Sequence, residues 1–204
     1  MKRRLSARKE PQQGRAQQTV QAIVDAATYI LIKDGWQGFT TNRIAKRAGV
    51  NIASLYQYFP NKEAIAVEIQ RLHGESARRR LREVILASGE AQSLRSVLRE
   101  TILAAVEEHA ASPRLHKALS EELPRSIRQL SSRSRVEEIA SIWKDAIAGK
   151  FKGVPDAEIA VFISRVTIHA VIHAAAVERP GLLTTPLLTD ELVALLEGYL
   201  QRRA

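Results

Sequence analysis

The stretch Thr40–Glu63, TTNRIAKRAGVNIASLYQYFPNKE, decides the fold. It divides into two short helical patterns separated by a turn, followed at once by the start of a third. In the first pattern Ile44, Ala45 and Ala48 share one face at helical spacing, while Arg43, Lys46 and Arg47 face away. Gly49 stands where a chain leaving a helix adopts positive φ, and Val50 plugs the turn. The second pattern, from Ile52 to Phe59, points Leu55 and Phe59 inward and leaves Ala53, Ser54, Tyr56, Gln57 and Tyr58 on its other sides. Pro60 stops it, and Asn61 caps the next helix, with Lys62 and Glu63 in its first turn. A short polar-aromatic helix held at an angle by an apolar turn is the device with which helix-turn-helix proteins read the DNA major groove.

Outward from this stretch, the charge is unevenly divided. The 204 residues carry 31 basic and 22 acidic side chains, a net charge of +9. Residues 1–82 hold 16 basic against 6 acidic side chains, whereas residues 83–204 hold 15 against 16. The whole surplus sits on the segment with the helix-turn-helix pattern, which points to a polyanionic partner there. The absence of cysteine excludes disulfides, thiolate zinc sites and cysteine nucleophiles. No uninterrupted apolar run approaches bilayer length, and the basic N-terminus precedes no apolar signal segment, so a cytoplasmic protein without a membrane partner is expected.

The organisation reads as three parts: a flexible basic arm over 1–15, a DNA-binding domain over 16–75 and a helical domain over 76–204, with a change of composition after Ser88-Gly89. The first helix is expected from Ala16 to Lys33, carrying the stripe Val20, Ile23, Val24, Ala27, Ile30 and Leu31 and ended by Gly35. Trp36 and Phe39 read as core plugs, and Gly74 interrupts the helix that starts at Lys62. Further helices are expected at about 91–110, 113–120, 124–149, 156–178 and 189–202, the last capped by Thr189 or Asp190. Strand alternation is absent, so the fold class is all-α. The last two helices are so apolar that a four-helix interface between two subunits, a homodimer, is expected; two-fold symmetry also suits a helix-turn-helix reader.

The motif run resembles the tetracycline-repressor-like (TetR) family of bacterial transcriptional regulators. The residues that carry the resemblance are Gly35, Phe39, Thr40-Thr41, Ile44-Ala45, Ala48-Gly49-Val50, Leu55-Tyr56, Tyr58-Phe59 and Asn61-Lys62-Glu63, all in the N-terminal part. The resemblance implies an all-helical homodimer with an N-terminal three-helix DNA-binding domain and a C-terminal domain for dimerisation and binding of a small-molecule inducer. It implies a repressor acting on a double-stranded operator, with no cofactor and no enzymatic activity.

Candidate site residues follow. Thr41, at the start of the second helix, offers a hydroxyl and free backbone N–H groups to a phosphate, or serves as its N-cap. Arg43 faces out one turn in; Ser54 and Gln57 are the candidates for contacts at base edges. Tyr56 and Tyr58 resemble the family's phosphate-contacting aromatics, with one of them free to pack inward, and Lys62 matches the family's lysine at the next helix start. Asn51 reads mainly as a cap. In the C-terminal part His109, Trp143 and His173 are candidates for an inducer cavity. His169 and His173 share the i, i+4 spacing of metal sites, but no third ligand stands nearby in sequence and their neighbours are Ala, Val and Ile, so partly buried histidines are preferred. No phosphate loop, nucleophile elbow or HExxH occurs. Two rival readings stay open: a regulator whose C-terminal domain binds a partner protein, and an enzyme using a C-terminal cavity.

Overall fold

A computed structural model describes residues 14–75, 78–79, 82–83, 93–129 and 156–201. Among them every regular element is helical, and no strand occurs. The chain forms two compact units. One gathers the described residues of Met1–His73 and Arg114–Arg133, and the other those of Gly74–Pro113 and Ser134–Ala204.

The first unit starts with α1, Gly14–Gly38. It extends past the expected end because helical residues resume after Gly35, which breaks the helix with φ 61° and ψ −169°. Helices α2 (Thr41–Ala48), α3 (Ile52–Tyr58) and α4 (Lys62–His73) follow. The turn after α2 is built as its sequence dictates. Gly49 is left-handed at φ 68°, and Val50 N–H donates to Ala45 C=O at 3.0 Å, closing the αL end of a Schellman-type cap. Asn51 caps α3 by accepting from Ala53 N–H at 2.8 Å, and Asn61 accepts from Ala64 N–H at 2.8 Å at the start of α4. Thr40 rather than Thr41 is the N-cap of α2, its hydroxyl accepting from Arg43 N–H; Thr41 is the first helical residue.

The apolar stripe of α1 packs with Phe39, Ile44, Leu55, Phe59, Ile65 and Ile69 in one core, in which both phenylalanines are fully buried. Trp36 stacks on Phe39 with ring centroids 5.2 Å apart and is half-buried, so Phe39 is the plug and Trp36 its cover. Four residues from far along the chain complete this core: Ala118, Leu119, Leu123 and Ile127. They come from the segment that begins with the short helix Pro113–Lys117, which runs into a π-helical turn, Ala118–Glu122. The expected continuous helix over 113–120 is thus broken by a change of pitch, and the segment placed by sequence in the C-terminal domain contributes side chains to the N-terminal core. Only 125–129 of the helix expected over 124–149 lies within the described residues.

In the second unit α5 spans Leu94–Ala111, capped by Ser93. The short helix Pro113–Lys117, which belongs to the first unit from Arg114 on, is α6; in the second unit α7 is Ala157–Glu178, capped by Asp156, which accepts from Glu158 and Ile159 N–H. A 3₁₀ turn, Pro180–Thr184, leads to α8, Pro186–Gln201. The last helix begins three residues before the expected caps: Pro186 needs no N–H partner in the first turn, Thr189 is buried, and Asp190 pairs with Arg99 at 2.5 Å. Leu98, Ile102 and Val106 of α5 pack with Val161, Ile168 and Ile172 of α7 and with Leu192, Val193, Leu196 and Leu200 of α8. A second ion pair, Arg95–Glu197 at 2.5 Å, also ties α5 to α8.

Among the described residues α7 is the one helix long and apolar enough to cross a membrane, with a mean hydropathy of 1.7 over its best window. It carries Arg165, His169 and His173, and it packs on α5. Only 33% of that window is buried, so apolar character continues onto its uncovered face.

The two positive-φ glycines test the first unit differently. Gly49 has an ordinary left-handed conformation and open space around its α-carbon, so Gly49→Ala should destabilise by about 1 kcal/mol. Gly35 combines positive φ with extended ψ, a region reserved for glycine, and an added Cβ would lie 2.5 Å from Glu122 Oε2. Gly35→Ala should therefore lose more, about 2–3 kcal/mol, read as the larger drop in urea midpoint by circular dichroism.

Candidate nucleic-acid interface

The reading head is the surface shared by α3 and the N-terminus of α2. Leu55 and Phe59 are fully buried, which turns the opposite side of α3 outward. Ala53, Tyr56 and Gln57 are exposed there, Tyr56 by 41%. Ser54 is half-buried at the flank of the helix, and Tyr58 packs against the core, so of the two tyrosines Tyr56 is the outward one. The Thr41 and Tyr56 hydroxyls lie 3.1 Å apart and join the first turn of α2 to the outer face of α3. Exposed Thr40 and Asn42 adjoin this pair. Helix N–H groups, two hydroxyls and an amide are thereby presented together, a set that can meet phosphate oxygens and base edges.

Lys62 approaches from the start of α4. Its Nζ donates to Trp36 C=O at 3.3 Å and lies 4.0 Å from the centroid of the Trp36 ring. The ammonium is thus held in a fixed place beside a helix N-terminus. Asn51 is a cap, as its position suggested.

Arg43 is placed elsewhere. Two residues from Thr41, it lies about 200° round the helix, on the side facing α1. Its guanidinium donates to Asp34 Oδ2 at 2.5 Å and to Gly38 C=O at 3.1 Å. Gly38 is required for this clamp, because a Cβ there would lie 2.7 Å from Arg43 Nη1 and 2.5 Å from Asp34 Cβ. Beside it lie Tyr29, Lys33, Lys46 and Arg47, none of them a site candidate from sequence, although Lys46 and Arg47 read as outward-facing there. The available signal was the i, i+4 pairing of Tyr29 with Lys33 and of Arg43 with Arg47; the meeting of the two pairs is a tertiary event.

In the second unit the histidines form a row. His109 is buried, and its Nδ1 lies 2.7 Å from Ala105 C=O. Its ring is 6.4 Å from that of His169, which stacks on His173 at 6.0 Å. His109 and His173 are therefore neighbours through His169, which is exposed. Trp143 lies outside the described residues. Among the described residues no group of three or more His, Cys, Asp or Glu is arranged to hold a metal ion.

Comparison with known proteins adds the lineage. Residues 23–69 match bacterial regulatory proteins of the tetR family, and residues 93–200 match the tetracyclin repressor-like C-terminal domain. The uncharacterized HTH-type transcriptional regulator YvkB of Bacillus subtilis is 33% identical over 58 residues, 28% of this chain and 31% of that protein. The match thus spans about a third of that curated relative's length. Among solved structures the chain is similar to NalD, the secondary repressor of the MexAB-OprM multidrug efflux pump of Pseudomonas aeruginosa, with a TM-score of 0.74, 19% identity and coverage of 90% of this chain and 96% of that one. It is also similar to FadR of Bacillus subtilis in complex with stearoyl-CoA, with a TM-score of 0.64, 22% identity and coverage of 89% and 97%. At these identities the structural likeness shows the fold. The two matched segments together cover both parts of the molecule, and the chain belongs to the TetR family of transcriptional regulators.

Proposed function

We propose that the protein is a repressor that grips a double-stranded operator as a homodimer and is released by a small-molecule inducer bound in its C-terminal unit. The observation that carries the DNA reading is the Thr41–Tyr56 hydroxyl contact, which sets the start of α2 and the exposed face of α3 side by side. In this reading Thr41, Tyr56 and Lys62 hold phosphates, Gln57 and Ser54 meet the bases, and Tyr58 supports α3 from within. Arg43 acts through the α1 side of the head, as a brace for α2. The C-terminal unit supplies dimerisation and ligand binding, with His109 and His173 as candidates at the ligand and Trp143 a third. No chemistry on the ligand is invoked, and the protein acts as a regulator rather than an enzyme.

The dimer reading rests on an uncovered apolar face. Ile159, Phe162, Val166 and Val177 recur at helical spacing along α7 and are exposed by 54, 58, 39 and 38%; Leu187 and Leu195 on α8 are each 57% exposed. A second copy is the occupant that a palindromic operator calls for, since each half-site needs its own α3. The two-fold geometry of an operator favours self-association over the rival partner-protein reading; the face lies on two helices within the matched C-terminal domain, residues 93–200.

Release follows from connectivity. Among the described residues the chain passes from the first unit to the second at His73–Gly74 and returns at Pro113–Arg114. Side chains of the head's own core, Leu119 and Leu123 among them, thus lie on a segment that follows directly from the second unit in the chain. A ligand that favours one arrangement of that unit can bias the head by its difference in affinity, typically about 1–3 kcal/mol. Acyl-CoA thioesters head the ligand screen because one fold relative is described in complex with stearoyl-CoA. Thermal shift detects any ligand that binds only the folded state.

Two measurements check the reading. Lys62→Ala should weaken binding to every duplex and lower the salt dependence by up to about one unit of slope, whereas Gln57→Ala should change the ranking of operator sequences more than nonspecific affinity. An unaltered slope and affinity in Lys62→Ala removes the phosphate assignment. For the dimer, Leu196 is a poor probe because it is 1% exposed in its own core, while Leu195 and Phe162 are exposed. The double variant Phe162→Glu, Leu195→Glu should sediment as a folded monomer and lose most operator affinity, because two half-sites no longer reinforce one another. A folded dimer in that variant places the interface elsewhere.

A further inference from the structure

The side of α2 turned away from Thr41 forms, with α1, a groove of about 550 Å³ lined by Tyr29, Ile30, Lys33, Asp34, Arg43, Lys46 and Arg47. Four of these are cations and one is an acid, and that acid is already engaged: Asp34 pairs with Arg43 at 2.5 Å. Lys33, Lys46 and Arg47 have no carboxylate within ion-pair distance among the described residues. The wall is also rigidly made. The Arg47 guanidinium lies over the Tyr29 ring, 3.3 Å from its centroid, and Lys33 Nζ lies 5.7 Å from the same centroid. Arg43 is clamped between Asp34 and Gly38 C=O, which fixes the spacing of α1 and α2 at the groove floor.

Ordering long exposed side chains opposes their rotamer entropy, a cost that the Arg47–Tyr29 contact offsets in part but that nothing comparable among the described residues offsets at Lys46. Here the Arg47 guanidinium is held over the Tyr29 ring, Lys33 Nζ lies near the same ring, Lys46 lines the same groove, and the one local acid is paired with a fourth cation. A fork of donors beside point charges is the arrangement that binds phosphate oxygens. DNA held by Tyr56 and Gln57 would lie on the opposite side of α2, because Thr41 faces α3 and Arg43 and Arg47 face α1.

We propose that the groove between α1 and α2 is a binding site for a phosphorylated small molecule of polyphosphate character, separate from the surface that reads DNA. Lys33, Lys46 and Arg47 carry the anion, Tyr29 positions Arg47, and the Asp34–Arg43–Gly38 clamp holds the two walls in register. Occupation of this site would set the charge and stiffness of the α1–α2 pair from within the DNA-binding unit, independently of any ligand in the C-terminal unit.

The test uses the full chain and two probes. Inorganic tripolyphosphate is titrated by calorimetry into the wild type and into Lys33→Ala, Arg47→Ala, with circular dichroism confirming that the variant is folded; Lys46→Glu serves as a second variant that leaves the Tyr29 contact intact. Binding of a random-sequence duplex is measured across a salt series in the same proteins. The expected result is saturable tripolyphosphate binding that weakens by about tenfold or more in both variants, with an unchanged salt slope for the duplex. No saturable binding, or equal binding in wild type and variants, overturns the site. A duplex salt slope lower by about two units in the double variant, whatever the polyphosphate result, assigns these cations to the DNA backbone and overturns the separation.

Discussion

Everything the reading head presents depends on the burial of two side chains, Leu55 and Phe59. Helix α3 has only seven residues, far fewer than a helix needs to persist alone in water. Its existence and its direction come from outside: Leu55 and Phe59 are fully buried against α1, α2 and α4, each contributing about 1.5–3 kcal/mol, and Asn51 caps its first turn. Rotation of α3 about its axis would move Tyr56 away from Thr41 and expose Leu55. The apolar contact and the hydroxyl contact therefore enforce the same orientation, one from below and one from the side.

The faces of α2 show how one eight-residue helix is shared among three tasks. Ile44 and Ala45 seal the core, Thr41 meets Tyr56, and Arg43 and Arg47 turn to α1. Placing the basic groove on a different face from the hydroxyls means that the positive charge of the N-terminal segment is not a single uniform footprint. Part of it braces helices, as Arg43 does with Asp34, part is fixed on aromatic rings, as with Arg47 on Tyr29 and Lys62 on Trp36. Counting charges along the sequence locates the basic region but does not separate these roles.

The helix-turn-helix was legible because its signals are local. Gly49 for a left-handed turn, Pro60 as a stop, and Asn51 and Asn61 as caps each act within a few residues, and all four perform those roles. The inward pair Leu55 and Phe59 followed from period alone. What escaped was tertiary. Thr41 reads from sequence as a possible cap of α2, yet Thr40 takes that role and Thr41 is the first helical residue. Arg43 faces outward by its helical position, but only the approach of α1 reveals Asp34 as its partner. In the C-terminal half, Leu195 and Leu196 look alike in sequence, yet one is exposed and the other buried, because a wide apolar stripe does not state where the core ends. Likewise the period of 113–127 marks an apolar face without saying which core receives it.

That last segment has a consequence for how the protein is made. The core around α1–α4 stays incomplete until Ala118, Leu119, Leu123 and Ile127 have been synthesised, about fifty residues after His73. At bacterial translation speeds of about 5–20 residues per second, the interval is several seconds. During it the ribosome holds a DNA-binding head with an unfilled apolar hollow, and a ribosome-bound chain truncated there lacks part of its hydrophobic support. A nascent chain cannot finish this core before α5 of the second unit has been synthesised, so the order of translation itself withholds a mature head from any product too short to contain that helix.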